Sequence, residues 1–114
     1  MLRRVWSCTI DPGRAEAYEE FARLTSLPMF RAQPGFQGCV MARKGTSCDV
    51  ITLWSDQAAV DALERSESYQ ATVAAIRASG FVTAEIGTNV ATVHLLSLTS
   101  TALAAPASEP GADL

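Results

Sequence analysis

The feature that most restricts what this chain can become is a pair of extended runs, 36–44 and 47–55, separated only by Gly45 and Thr46. A two-residue connection with glycine first suits a type II′ turn, so the runs are expected to pair antiparallel as a hairpin. Before the hairpin, the stretch from Leu2 to Ile10 alternates as a strand, with Leu2, Trp6, Cys8 and Ile10 on one side and Arg3, Ser7 and Thr9 on the other. Asp11-Pro12 then offers an N-cap acceptor followed by proline at the first helical position.

In the helix that follows, Ala17, Phe21 and Leu24, with Tyr18 beside them, form the expected packing stripe, and Glu16, Glu19, Glu20 and Arg23 form a solvated one. Pro28 is expected to end or kink this helix near Ser26, with Met29 and Phe30 in a further short turn before Gln33-Pro34-Gly35. After the hairpin, Ser55 and Asp56 can cap a second helix. Its apolar positions Ala59, Leu63, Tyr69, Val73 and Ile76 span a polar interruption at 64–68, which predicts one broken helix or two in tandem. Ser79-Gly80 stops it, and the Val- and Thr-rich stretch 84–96 is the last strand.

The order β-α-β-β-α-β gives an α+β, ferredoxin-like domain over residues 1–96: a four-stranded antiparallel sheet with two helices on one face. Residues 97–114 are rich in Ala, Ser and Pro and read as a tail. The bare sheet face asks for a cover, and a second copy packed face to face predicts a homodimer.

Composition removes several classes of function. With 48% hydrophobic and 18% charged residues and a net charge of -3, the chain is globular and has no basic footprint for nucleic acid. The basic pair Arg3-Arg4 is followed by Val5, Trp6 and polar Ser7, without the roughly 7–15-residue apolar stretch of a signal peptide. No apolar run of about 20 residues suggests a membrane span. Cys8, Cys39 and Cys48 make no CxxC, and His94 is the only histidine, so no metal site and a reducing cytoplasmic location are expected. No GxSxG, P-loop or GxGxxG is present.

A Gly45-Thr46 turn pairs Met41 with Val50, Cys39 with Thr52 and Gln37 with Trp54. Phe36, Val40, Ile51 and Leu53 then share a wholly apolar face, assigned here to the helices. Gln37, Cys39, Met41, Arg43, Val50, Thr52 and Trp54 share the other, assigned to the bare side as a small-molecule pocket because apolar and hydrogen-bonding groups mix there.

The run Gln33-Pro34-Gly35-Phe36 entering a strand, then Thr52-Leu53-Trp54-Ser55-Asp56 leading into a helix, then Ser66-Glu67-Ser68-Tyr69, resembles the antibiotic biosynthesis monooxygenase family of the dimeric α+β barrel superfamily. The resemblance spans roughly residues 2–96 by element order. It implies a dimeric α+β barrel and, for some members, oxygenation of aromatic polyketides or quinol-like substrates with no cofactor. Trp54 matches the pocket tryptophan of the polyketide oxygenases. Val50 stands where their asparagine is expected and Val60 where their tyrosine is, while Leu63 and Val73 occupy the helix positions that carry Trp and His in the haem-degrading branch.

Each candidate has a plainer alternative. Trp54 is either a dimer-interface anchor, the weightier reading, or a substrate contact. His94 is a strand histidine before it is a catalytic base. Cys39 reads as a small buried hydrophobe, and Arg43 as a solvated strand end that could steady an anionic substrate. The leading expectation is a cofactor-independent monooxygenase acting on a small aromatic, quinol or polyketide-type molecule. The alternatives are a non-catalytic binding or stress-response module, or an isomerase or dehydratase using His94 as its base.

Overall fold

The computed structural model describes residues 1–99; most of the expected tail, from residue 100 on, lies outside the described residues. Strand β1 (Leu2–Ile10) leads through a 3-10 turn (Pro12–Arg14) into α1 (Ala15–Phe21), a π-helical stretch (Ala22–Ser26) and α2 (Leu27–Arg31). The hairpin β2 (Phe36–Lys44) and β3 (Ser47–Trp54) follows, then α3 (Gln57–Arg65), α4 (Glu67–Ser79) and β4 (Val82–Thr92). The strands form one antiparallel sheet in the order β2-β3-β1-β4. This is the ferredoxin-like arrangement, with two helical rods against the sheet.

Local chemistry accounts for most boundaries. The Asp11 carboxylate accepts from the Gly13 N–H at 2.9 Å, and that of Asp56 from the Ala59 N–H at 2.9 Å. Ser66 both ends α3 and caps α4, accepting from the Tyr69 N–H at 3.1 Å, so the polar interruption becomes a hinge between two tandem helices. Gly45 has φ 60 while Thr46 stays at negative φ, as a II′ turn needs. Gly35 has φ 81, and a Cβ there would meet the Ala59 Cβ at 2.5 Å, so only glycine fits the turn that admits β2.

Two local expectations are corrected and one is made specific. Of the two outcomes expected at Pro28, an end or a kink near Ser26, the helix does not end: it is irregular over Ala22–Ser26 and continues through the short helix Leu27–Arg31, which carries Met29 and Phe30. Proline at 28 cannot donate to Leu24 and its ring crowds that carbonyl; the chain widens into a π turn, in which the Leu27 N–H reaches back to the Ala22 carbonyl. The packing stripe is also offset from the expected one: the buried side chains are Tyr18, Ala22, Ser26, Met29 and Phe30, while Ala17 is exposed and Leu24 points to solvent at 61% exposure. The last strand begins and ends earlier than 84–96 and leaves His94 beyond it.

The larger correction concerns the faces of the hairpin. Val50, Thr52 and Trp54 lie under the helices, whereas Ile51 and Leu53 border an outer groove with Val40, which is 56% exposed. Register explains the inversion. Trp6 pairs with Val50 and Cys8 with Cys48, so burying the even-numbered side chains of β1 carries those of β3 with them. The polar members of the inner face, which argued against this assignment, are satisfied there: the Trp54 indole Nε1 donates to Thr52 Oγ1 at 2.8 Å. A bulge between Phe36 and Gly38 pairs Trp54 with Phe36 in place of Gln37. Phe36 therefore turns inward, its ring 5.5 Å from that of Trp54, with Phe30 at 6.4 Å from both.

Candidate functional site

Between the sheet and the two helical rods lies a cavity of about 40 Å³. Arg4, Trp6 and Val50 form its floor on β1 and β3, Tyr18, Ala22, Ser26, Met29 and Phe30 one wall, and Tyr69, Thr72, Val73 and Ile76 on α4 the other. Its surface is mostly apolar. The exceptions include two serine and threonine hydroxyls, two phenols and one guanidinium.

That guanidinium is the unusual element. Strand alternation turns Arg4 inward, where it is 3% exposed. Its Nε donates to Glu64 Oε2 at 3.1 Å and its Nη2 to the Tyr69 hydroxyl at 2.8 Å. It also stands 5.2 Å from the centre of the Tyr69 ring, a cation–π contact. The Glu64 side chain is itself 44% exposed, so the buried cation is compensated by a carboxylate that is largely in water. No carboxylate and no histidine lines the cavity among the described residues.

Tyr18 closes the end nearest Cys8 and Cys48, which face each other across β1 and β3. Burial beside these thiols raises the Tyr18 phenol far above its ordinary range, so it stays protonated. Burial likewise pushes the Cys8 thiol up to about 11 and raises that of Cys48. Of the three only Tyr18 lines the cavity, and the buried thiols behind it are held in the protonated, unreactive form.

The pocket residues expected from sequence separate. Val50 lines the cavity, Met41 packs against the same core, and Thr52 and Trp54 stand behind the cavity lining. Trp54 is fully buried in the protomer, so it is no interface anchor, and its N–H is already committed to Thr52. Cys39 is half-buried, its thiol pushed up to about 11 by desolvation. Gln37 is exposed at the bulge, and Arg43 pairs with Glu19 at 2.9 Å at the strand end. His94 lines the separate outer groove, of about 360 Å³, with Arg3, Val40, Ile51 and Leu53.

Sequence reasoning missed Arg4 and Tyr69. A signal was present: in β1 Arg4 occupies the same parity as Trp6, Cys8 and Ile10, and an arginine on an apolar strand face is a candidate for a buried, paired charge.

The family model for antibiotic biosynthesis monooxygenases matches residues 1–75, covering β1 through most of α4. The chain belongs to the antibiotic biosynthesis monooxygenase family. Solved structures of similar fold include SnoaB, a cofactor-independent oxygenase from Streptomyces nogalater, at 24% identity, with a TM-score of 0.64 over 83% of this chain and 94% of that one. Rv0793 from Mycobacterium tuberculosis aligns at 16% identity and TM-score 0.63, over 89% and 98% of the two chains. A conserved protein from Methanosarcina mazei aligns at 13% and 0.67, over 79% and 89%. Among curated protein sequences none matches. At these identities the neighbours establish the fold, and activity has to be argued from the cavity. Among the described residues of this family member, no three metal-ligating side chains converge, and no helix is long and apolar enough to cross a membrane.

Proposed function

We propose that the chain is a cofactor-independent monooxygenase-like protein that takes a small, flat aromatic, quinol or polyketide-type molecule into the cavity between sheet and helices. The observation that carries this reading is an apolar cavity whose floor holds one buried cation, in a member of this family. Such a substrate, once deprotonated, can give an electron to oxygen directly. Recombination at a ring carbon that bears hydrogen, followed by return of the proton, forms a hydroperoxide, and loss of water leaves a carbonyl, so that one O₂ becomes the new C=O and one H₂O. The protein's part is to hold the ring, keep water out and stabilise the charge. Val50, Thr52 and Trp54 are proposed as the floor of this site and the rigid layer behind it.

At about 40 Å³ the cavity is smaller than the ~150 Å³ that holds benzene in an apolar protein interior, so a ring enters only as the helical rods part. The π turn at Ala22–Ser26 lies in the wall that must move. The outer face, with Val40, Ile51 and Leu53, is proposed to meet a second copy, and the three free thiols suit a reducing cytoplasm.

Two observations favour a second reading, a binding module without chemistry: Trp54 Nε1 is occupied by Thr52, and among the described residues no carboxylate or histidine base lines the cavity. Oxygen uptake with a panel of hydroquinones, for wild type and for Val73→Trp, which fills the cavity, separates the two. Uptake by wild type alone supports the monooxygenase. A ligand-induced rise in Tm for wild type alone, without uptake, supports the binding module. Equal behaviour of the two proteins removes the cavity from consideration.

A further inference from the structure

We propose that Arg4 is the anion receptor of the cavity, so that the molecule bound there carries an ionised oxygen on its ring and sits with that oxygen on the guanidinium. This rests on the cavity being the binding site. Three observations carry it. First, an arginine 97% out of water is costly unless well paired, and among the described residues the one acid touching it is Glu64, through a single 3.1 Å contact to a side chain 44% exposed. Such thin compensation is a poor stability device, because a methionine of similar volume would fill the space without the desolvation cost. Secondly, the guanidinium has five N–H donors, and among the described residues its side chain donates only to Glu64 Oε2 and the Tyr69 hydroxyl. Nη1 and one Nη2 hydrogen remain free, in a residue that lines the cavity. Thirdly, among the described residues no other cation and no carboxylate lines the cavity, so its field favours a negative guest.

The arrangement also answers how a substrate could ionise where no base is present. A cation at hydrogen-bond distance lowers the pKa of a bound phenol or enol by about 1–3 units, so the substrate's own proton leaves to solvent before or during entry. Tyr69, held by its hydroxyl and its ring, fixes the guanidinium plane. Glu64 competes with the guest for the same charge.

Ring-borne oxyanions come as phenolates or carboxylates, and the probes 4-nitrophenol, benzoate and nitrobenzene distinguish them from a neutral ring. Each is titrated into wild type, Arg4→Gln, Arg4→Lys and Glu64→Gln, with the phenolate absorption band followed against pH. The expected result for wild type is a bound 4-nitrophenol ionising about one unit lower than in solution, about ten-fold in the ionised fraction. Arg4→Gln abolishes that shift while leaving nitrobenzene binding unchanged, and Arg4→Lys restores part of it. Glu64→Gln, on a half-exposed helix end and so expected to fold, enlarges it by removing the competitor. Benzoate in place of 4-nitrophenol as the ligand lost in Arg4→Gln assigns the oxyanion to a carboxylate. Equal ionisation of 4-nitrophenol in wild type, Arg4→Gln and Glu64→Gln, with nitrobenzene still bound, overturns the role of Arg4 and leaves the cavity reading standing. Binding of none of the three probes overturns both.

Discussion

Arg3 and Arg4 are neighbours with identical side chains, yet they inhabit different worlds. Arg4 is buried beneath the helices, fixed by Glu64 and Tyr69, and lines the cavity between sheet and helices. Arg3 lies on the outer face in an open groove, donating to Asn89, with its Nε unpartnered among the described residues. Nothing in either residue distinguishes them; strand alternation does. The inner face is closed by the chain itself and packs aromatic rings around a satisfied Trp54. The outer face remains half-open, with Val40, Ile51 and Leu53 beside polar groups. The lesson is that the covered face is the one whose polar groups find partners, rather than the one with fewest polar groups.

The contrast can be broken most forcefully at Trp54. Its replacement by alanine removes a fully buried indole packed on Phe30 and Phe36 and is expected to cost about 3–5 kcal/mol in urea unfolding. A loss below about 1 kcal/mol would mean that the inner face is not the core. Next comes the arginine pair. Arg4→Ala is expected to cost roughly 2–3 kcal/mol, because it empties the space of a buried side chain and leaves the Tyr69 hydroxyl without its donor, whereas Arg3→Ala should stay within about 0.5 kcal/mol. Similar costs at the two positions would erase the distinction between the faces.

Alkaline titration sharpens the comparison from the interior side. Cys8, ordinarily ionising at 9.0, is held protonated in the fold to about 11, so the unfolded chain releases its proton first. Stability therefore falls as pH rises from about 9 to about 11, by up to ~1.4 kcal/mol per pH unit for this thiol, and the slope should become shallower in Cys8→Ala, the remainder coming from Cys39 and Cys48, which are raised as well. A stability that is level across that window in wild type contradicts the burial of the thiol pair. The smallest effect on folding is expected at Val40→Glu, within about 0.5 kcal/mol for the protomer. The same change should abolish the proposed pairing of outer faces in sedimentation velocity. Wild type sedimenting as a monomer at micromolar concentration would refute that pairing outright.

Much of the scaffold was legible in the residues because its signals are local. Asp11-Pro12, Asp56, Ser66 and Gly80 mark helix ends, and Gly45-Thr46 sets the hairpin register from Lys44–Ser47 to Cys39–Thr52. The site was legible only in part. Trp54, Thr52, Met41 and Val50 were gathered on one face correctly, because strand alternation requires it, but the face was turned to the wrong side. The bulge at Gln37 was invisible, since it inserts one residue for reasons of packing, whereas Pro28 marked a disturbance near Ser26 without showing that it takes the form of a π turn.

Sequence alone determined the order of elements, the antiparallel hairpin and the family resemblance, which depend on turn chemistry, caps and periodicity between near neighbours. Tertiary structure alone decided which face of the sheet is covered, and hence that Arg4, not His94 or Arg43, stands in the cavity. The physical reason is that a strand's two faces differ only by what packs on them. That choice is made by contacts between β1, β3 and α4, residues as far apart as Arg4, Val50 and Tyr69, and by whether the polar groups among them can satisfy one another.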